Sequence, residues 1–215
     1  MSSIEIIDII TLILALAVAI IGHEIMHGLV AYKYGDNTAK DQNRLSINPI
    51  VHIDPIGTIL VPAMLHFSGA GFLFGWAKPV PINERIVIQN GGYNGAIAVS
   101  LAGIAFNFTL ALSAVILLKF VPEAQSLTTY FINKFLWYTV IYNVVLGIFN
   151  LYPLPPLDGS HAVSHFFSKF GIHEVANFYN KISQYGMIFL IIIIATPLSA
   201  IIFQPISYIL RTLLP

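Results

Sequence analysis

The chain reads as an all-α polytopic membrane protein, and three observations carry that reading. It is 57% hydrophobic and 9% charged, with a mean hydropathy of +0.80, whereas a soluble domain carries about 25% charged residues. Its apolar residues gather into the segments Ile6–Tyr32, Ser100–Phe120 and Phe131–Leu151, each near or above the roughly 20 residues that a spanning helix needs. Ionisable residues are costly at membrane depth and mark function there, yet His23, Glu24 and His27 stand together inside the first segment. The expected architecture is a core of three transmembrane helices, a re-entrant or β element after the first helix, and one or two C-terminal helices. We expect one integral-membrane domain over residues 1–215, with a core over about 6–160 and C-terminal helices over about 161–215.

Each element has a local reason. Glu5 and Asp8 occupy the place where a signal peptide would carry basic residues, so the first apolar run is expected to stay as a span rather than be cleaved. Lys33–Pro55 is polar, and Asn48-Pro49 and Asp54-Pro55-Ile56-Gly57 are turn signals. Thr58–Phe74 is apolar but interrupted by Pro62, His66, Gly69 and Gly71. Gly75-Trp76-Ala77-Lys78-Pro79-Val80-Pro81 should be extended or looped, because proline biases its preceding neighbour to extended geometry. The second clear span runs over Ser100–Phe120, with Tyr93 as an alternative start, and the third over Phe131–Leu151. The third ends in Tyr152-Pro153-Leu154-Pro155-Pro156-Leu157-Asp158-Gly159, which cannot continue as a helix. Ser160–Ser183 mixes polar and apolar residues and fits an interfacial helix; Pro197 and Pro205 divide the last apolar region into one span plus a short helix, or two short spans.

Composition also excludes classes. A net charge of zero gives no basic footprint for nucleic acid. With no cysteine there is no disulfide and no thiolate metal site, so a metal must use His, Asp or Glu. His23-Glu24-Ile25-Met26-His27 is an HExxH motif. Residues four apart share a helix face, so both histidines can address one ion. Glu24 can reach a water on that ion as general base without being a ligand. The bland alternative, polar packing between helices, leaves a mid-span glutamate uncompensated at about 3 kcal/mol or more. A third ligand is needed, and Asp158 is the candidate: an acid at the end of a span, on backbone released from helical geometry by proline and glycine. Irregular backbone at membrane depth survives only where it is buried in protein or lines a watery cavity. Taken alone, Asp158 reads equally well as an ordinary loop carboxylate.

His23-Glu24-Ile25-Met26-His27-Gly28 together with Asn150-Leu151-Tyr152-Pro153-Leu154-Pro155-Pro156-Leu157-Asp158-Gly159 resembles the site-2 protease family of intramembrane zinc metalloproteases. Gly75–Pro81 is similar to a loop of many bacterial and archaeal members, and Ser100–Asn107 to the start of the family's middle core helix. The resemblance implies that His23, His27 and Asp158 bind one Zn2+, that Glu24 is the base, and that peptide bonds within or beside transmembrane segments are cut. It implies that Asn150 holds substrate backbone or a developing oxyanion, against the alternative of a helix–helix hydrogen bond, and that Asn107 supports packing or a turn. Ile104 stands where many members have proline, so a straighter helix is expected there. Many relatives carry PDZ or CBS domains, for which this chain has no room.

Ligand geometry constrains topology. His27 and Asp158 must meet, so the first and third spans must end on the same side, and Thr58–Phe74 should dip in and return. Lys33, Lys40, Arg44, Lys78, Arg85, Lys169 and Lys181 then share one side against Lys119 and Lys134, with Arg211 unassigned. The positive-inside rule prefers that layout to the alternative in which Thr58–Phe74 crosses. It places the site nearer the cytosol of a prokaryotic cell membrane. The re-entrant element would offer an edge strand to an extended substrate. His161 is read as an interfacial residue or one that orients a ligand, His165 as interfacial, His66 as bonded to a carbonyl and His52 as a loop residue. The expected partners are the lipid bilayer and a transmembrane-helix protein or peptide; nucleic acid is not expected, and the oligomeric state stays open, a dimer among the options. A metal-ion or proton transporter built on the same His/Asp cluster is the competing reading. It lacks the paired broken helices usual in transporters.

Overall fold

The computed structural model describes residues 2–69 and 75–214. Every regular element among them is helical: α1 (Ser3–Lys33), α2 (Thr38–Asp41), α3 (Val61–Phe67), α4 (Glu84–Leu118), α5 (Leu127–Leu151), α6 (Asp158–Lys169), α7 (His173–Ser183), α8 (Gly186–Ala195) and α9 (Leu198–Leu213). A 3-10 turn at Pro49–His52 and a wider π turn at Pro55–Leu60 precede α3.

α1, α4 and α5 are long and apolar enough to cross a membrane. Ser2 and Glu5 close a capping box at the start of α1, and Ser126 with Thr129 closes another on α5, satisfying amide donors that a helix leaves open. The buried face of α1 is Thr11, Ala15, Ala19, His23, His27 and Ala31, one residue in every four, with Gly28 buried beside them. Ile6, Ile9, Ile10, Ile13, Leu14 and Val18 are exposed. That is inside-out for a soluble helix and right for lipid, where small residues let helices approach.

α1 pairs with α5 and then with α4. Near its start, Asp8 accepts from the Tyr130 hydroxyl and lies 3.7 Å from Lys134 Nζ. Further on, His23 and His27 bond to Asn107 and Val99 of α4, so α4 runs opposite to α1. Asn107 donates to Asn143 of α5, completing the three-helix contact. Beyond this centre, α4 and α5 close an apolar core around Ala111, Val140 and Val144, capped by Ile206 of α9.

Residues 34–83 leave and rejoin one end of this bundle. Tyr34 O accepts from Asn90, and the Asp36 carboxylate accepts from the Asn83 amide at 2.6 Å. Within that excursion the apolar helix Pro55–Phe67 is shorter than a span. Residues 75–83 have no regular structure and are pinned across it: Trp76 N–H donates to Gly57 O, Lys78 N–H to His52 O, and Arg44 to Lys78 O. The expected β element forms no strand among the described residues, and the end of Thr58–Phe74 lies outside them.

Two other details differ from expectation. α4 begins at Glu84 and carries a break at Gly92, whose φ of 60° suits glycine; the alternative start at Tyr93 marks the helix after that break. Past Ile104 it runs on without interruption. The single interfacial helix expected over Ser160–Ser183 is two, α6 and α7, because Gly171 takes a φ of 77° and ends α6. α7 and α8 meet at a 70° bend. Pro197 divides α8 from α9 as expected, but Pro205 lies inside α9 and does not divide it.

Candidate metal centre

His23 and His27 lie one turn apart in α1, each 7% exposed. Asp158 opens α6 after the turn Tyr152–Leu157, where the Pro155–Pro156 peptide is cis. Gly159 allows this turn: a Cβ there would run into the Leu151 and Tyr152 carbonyls. The result is a tight triangle. His23 Nε2 lies 3.0 Å from His27 Nε2 and 3.0 Å from Asp158 Oδ2, and His27 Nε2 lies 3.2 Å from the same oxygen. The helix that brings the histidines and the turn that brings Asp158 therefore meet as the sequence predicted.

The protons in this triangle can be placed. His27 Nδ1 is 2.7 Å from Val99 O, a carbonyl that only accepts, so Nδ1 carries the proton. Asn107 Nδ2 donates to Ala19 O and to Asn143 Oδ1. Its Oδ1 is therefore the acceptor facing His23 Nδ1 at 2.6 Å, and His23 is protonated on Nδ1 too. Both Nε2 atoms then turn lone pairs inward toward a carboxylate oxygen that is buried without a hydrogen-bond partner. Three electron-rich atoms at about 3 Å repel one another unless a proton or a metal cation sits among them. Ligand atoms around a tetrahedral zinc at about 2.0–2.2 Å lie roughly 3.4 Å apart, so the donor set, its tautomers and its spacing fit one zinc ion. Among the described residues, these three already hold their ligand atoms close enough together to share one ion.

Neighbouring residues fix this geometry, and the sequence did not single them out for it. Asn107, expected to support packing or a turn, ties α4 to Ala19 and Asn143 and also bonds the ring of His23. Gly103 supplies the room: a Cβ there would approach three atoms of the same ring at 2.6 Å. The available signal was an asparagine, Asn107 or Asn143, in the middle of an apolar span, where an amide needs a specific partner.

Glu24 faces a cavity of about 250 Å3, shared with His27 and Asp158 and walled by Val80, Ser100 and His165. Its Oε2 accepts from the Val80 amide at 2.8 Å, so the Gly75–Pro81 loop touches the motif directly. The Asn150 amide donates to Leu146 O at 3.1 Å, one turn back in α5, and Asn150 is not among the residues lining the cavity. His161, read as interfacial or as orienting a ligand, and His165, read as interfacial, both line the cavity wall. His52 is 3% exposed and anchored to Ser46 O, a buried support rather than a free loop residue.

A membrane-embedded helical bundle that presents two imidazoles, a carboxylate and a neighbouring glutamate to one cavity defines a class, the integral-membrane metallohydrolases. The comparisons narrow it. The description "Peptidase family M50" matches residues 121–194, which include Asp158. Over 198 residues the chain is 35% identical to the "Putative zinc metalloprotease YwhC" of Bacillus subtilis, covering 90% of this chain and 84% of that protein. It is 25% identical over 176 residues to the "Putative zinc metalloprotease Rip2" of Mycolicibacterium smegmatis, covering 81% of this chain and 62% of that protein. No solved structure matches. The chain belongs to peptidase family M50, the site-2 proteases, and is a zinc metalloprotease.

Proposed function

We propose that the protein is an intramembrane endopeptidase that cuts peptide bonds within or next to transmembrane segments of other proteins, with His23, His27 and Asp158 holding one zinc ion. The observation that carries this is the inward-facing triangle of two imidazole lone pairs and one orphaned carboxylate oxygen, opening on the same cavity as Glu24. Zinc in such a site supplies a Lewis acid that brings the pKa of water down from about 15.7 toward roughly 7. Glu24 takes the proton of the attacking water as the C–O bond forms, then delivers it to the amide nitrogen as the C–N bond breaks. The Val80 amide holds the Glu24 carboxylate in register for both transfers. Asn150 is proposed to steady the substrate backbone, which requires its amide to leave Leu146 O and turn toward the cavity.

The bond to be cut must be extended to be reached. Thr58–Phe74 is proposed as a re-entrant element, and Pro79, Val80 and Ile82 on the cavity wall as the edge along which the peptide lies. The return of residues 34–83 to one end of the bundle supports that layout. The lysine and arginine distribution supports putting this end on the cytosolic side of a prokaryotic cell membrane. The test is cleavage of a single-span substrate in proteoliposomes by wild type and Glu24→Gln, with zinc content measured in both. Cleavage lost at unchanged zinc supports the proposal. A fully active Glu24→Gln, or metal flux across the vesicles without cleavage, overturns it.

A further inference from the structure

The cavity has a second group of metal-ligating side chains that the proposed chemistry leaves unused. His161 and His165 are four residues apart on α6, the spacing that puts His23 and His27 on one face of α1. Glu84, in the first turn of α4, brings its Oε1 to 3.8 Å from His165 Nε2. Two ligands on a tetrahedral zinc lie about 3.4 Å apart, so a small rotation of the exposed Glu84 side chain closes the pair on an ion. His161, also exposed, does not stand within ligand distance of both partners and would have to change rotamer to become the third donor. All three line the cavity that contains Glu24, His27 and Asp158. Along α6, at 1.5 Å per residue, the two histidines stand roughly 5–10 Å from Asp158.

His165 suits a ligand better than a cation. It is 8% exposed. Burial lowers its pKa, Glu84 opposes that, and His161 adds to the lowering, which keeps a neutral ring nitrogen available near pH 7. The facing groups on other elements are Glu84 and the Tyr93 ring, 6.4 Å away centroid to centroid; neither competes for that nitrogen as a donor.

We propose that His161, His165 and Glu84 form a second divalent-cation site at the mouth of the cavity, filled by zinc in excess of the first equivalent, and that its occupancy blocks peptide entry and inhibits cleavage. The binding part stands apart from the protease reading; the inhibition part rests on it. The probe is zinc alone, added to purified full-length protein. Equilibrium dialysis should find two zinc ions per chain for wild type and for Glu24→Gln, but one for His161→Gln/His165→Gln. Glu84→Gln, altered at an exposed side chain and expected to fold, should weaken only the second equivalent, by about tenfold or more. Cleavage by wild type should fall at least tenfold as zinc passes one equivalent. Cleavage by the double histidine variant should not fall. One zinc per chain in wild type at every concentration, or two retained in both variants, overturns the site. Two ions with undiminished cleavage overturns the inhibition. A wild type that never cleaves fails the protease reading, while the dialysis still decides the site.

Discussion

His23 and His27 sit mid-helix, each with its second ring nitrogen tied to α4; Asp158 arrives from a proline-rich turn, and its inner oxygen is tied to nothing. The first wall of the centre is made of helices packed through small residues, with a chain of amides from His23 through Asn107 and Asn143 to Thr139 O behind it. The second wall is irregular backbone at Val80 and in the turn Tyr152–Leu157 that delivers Asp158 to the start of α6. Helices give the metal its geometry, because ring orientation is set by partners that cannot shift. Irregular segments give access, because a peptide has to enter between them and water has to follow. Substitutions on the two walls should therefore fail differently.

The largest effect is expected at the open side. Glu24→Gln preserves shape and a hydrogen-bond acceptor for the Val80 amide but removes the base. Cleavage should fall by about 10^2–10^4, with zinc content and thermal unfolding unchanged. A loss of zinc in that variant would mean that Glu24 belongs to the metal-holding wall, and the division drawn above would fail.

On the helical side the expected loss is of metal and stability together. Gly103→Ala puts a methyl 2.6 Å from His23 ring atoms. Overpacking of this kind costs about 1–3 kcal/mol, and the ring must move to relieve it. Thermal unfolding in detergent should drop and zinc should be released at lower chelator concentration. An unshifted chelation curve would show that His23 does not depend on this wall.

Asn107→Leu should act on the metal more than on the fold. It keeps the volume but removes the acceptor that fixes the His23 tautomer, which typically costs about 10- to 100-fold in metal affinity. Competition with a chelator measures this, and Asn107→Asp, which retains the acceptor, should recover much of it. Equal affinity in all three proteins would sink the positioning role.

The same division explains what the sequence disclosed. The three spans, the HExxH face and the Asp158 turn were legible because each depends on local pattern: apolar length, a four-residue repeat, a run of prolines. The every-fourth-residue stripe from Thr11 to Ala31 was there to be read as well, once small residues rather than large ones are taken as the buried face in lipid. Asn107, Gly103 and the Val99 carbonyl were not, since their roles exist only when α4 lies against α1. Nor was the split of Ser160–Ser183, where one glycine at positive φ decides between one helix and two. His161 and His165 looked interfacial because amphipathic helices at a membrane surface and helices lining a polar cavity share one sequence pattern.

The smallest expected effect tests whether the irregular side has a rigid footing outside the membrane. Asp36 follows α1 and is 1% exposed. Burial on its own would raise its pKa. The Thr38 hydroxyl and the amides of Thr38 and Asn83 outweigh burial and leave it below the ordinary carboxylate value. Through the Asn83 amide this carboxylate ties the end of α1 to the start of α4. A depressed folded-state pKa stabilises the protein above the unfolded pKa of about 3.9, and that stability is lost as pH falls toward the folded value. Asp36→Asn removes the charge and turns an amide group toward at least one N–H donor, so it should lower stability at pH 7 by about 1 kcal/mol. It should also flatten the acid limb of the unfolding midpoint plotted against pH. Cleavage and zinc content at neutral pH should stay near wild type. A large loss of cleavage at full stability would instead tie this anchor to the catalytic side of the cavity, through residues 79–83 and the Val80 amide that holds Glu24.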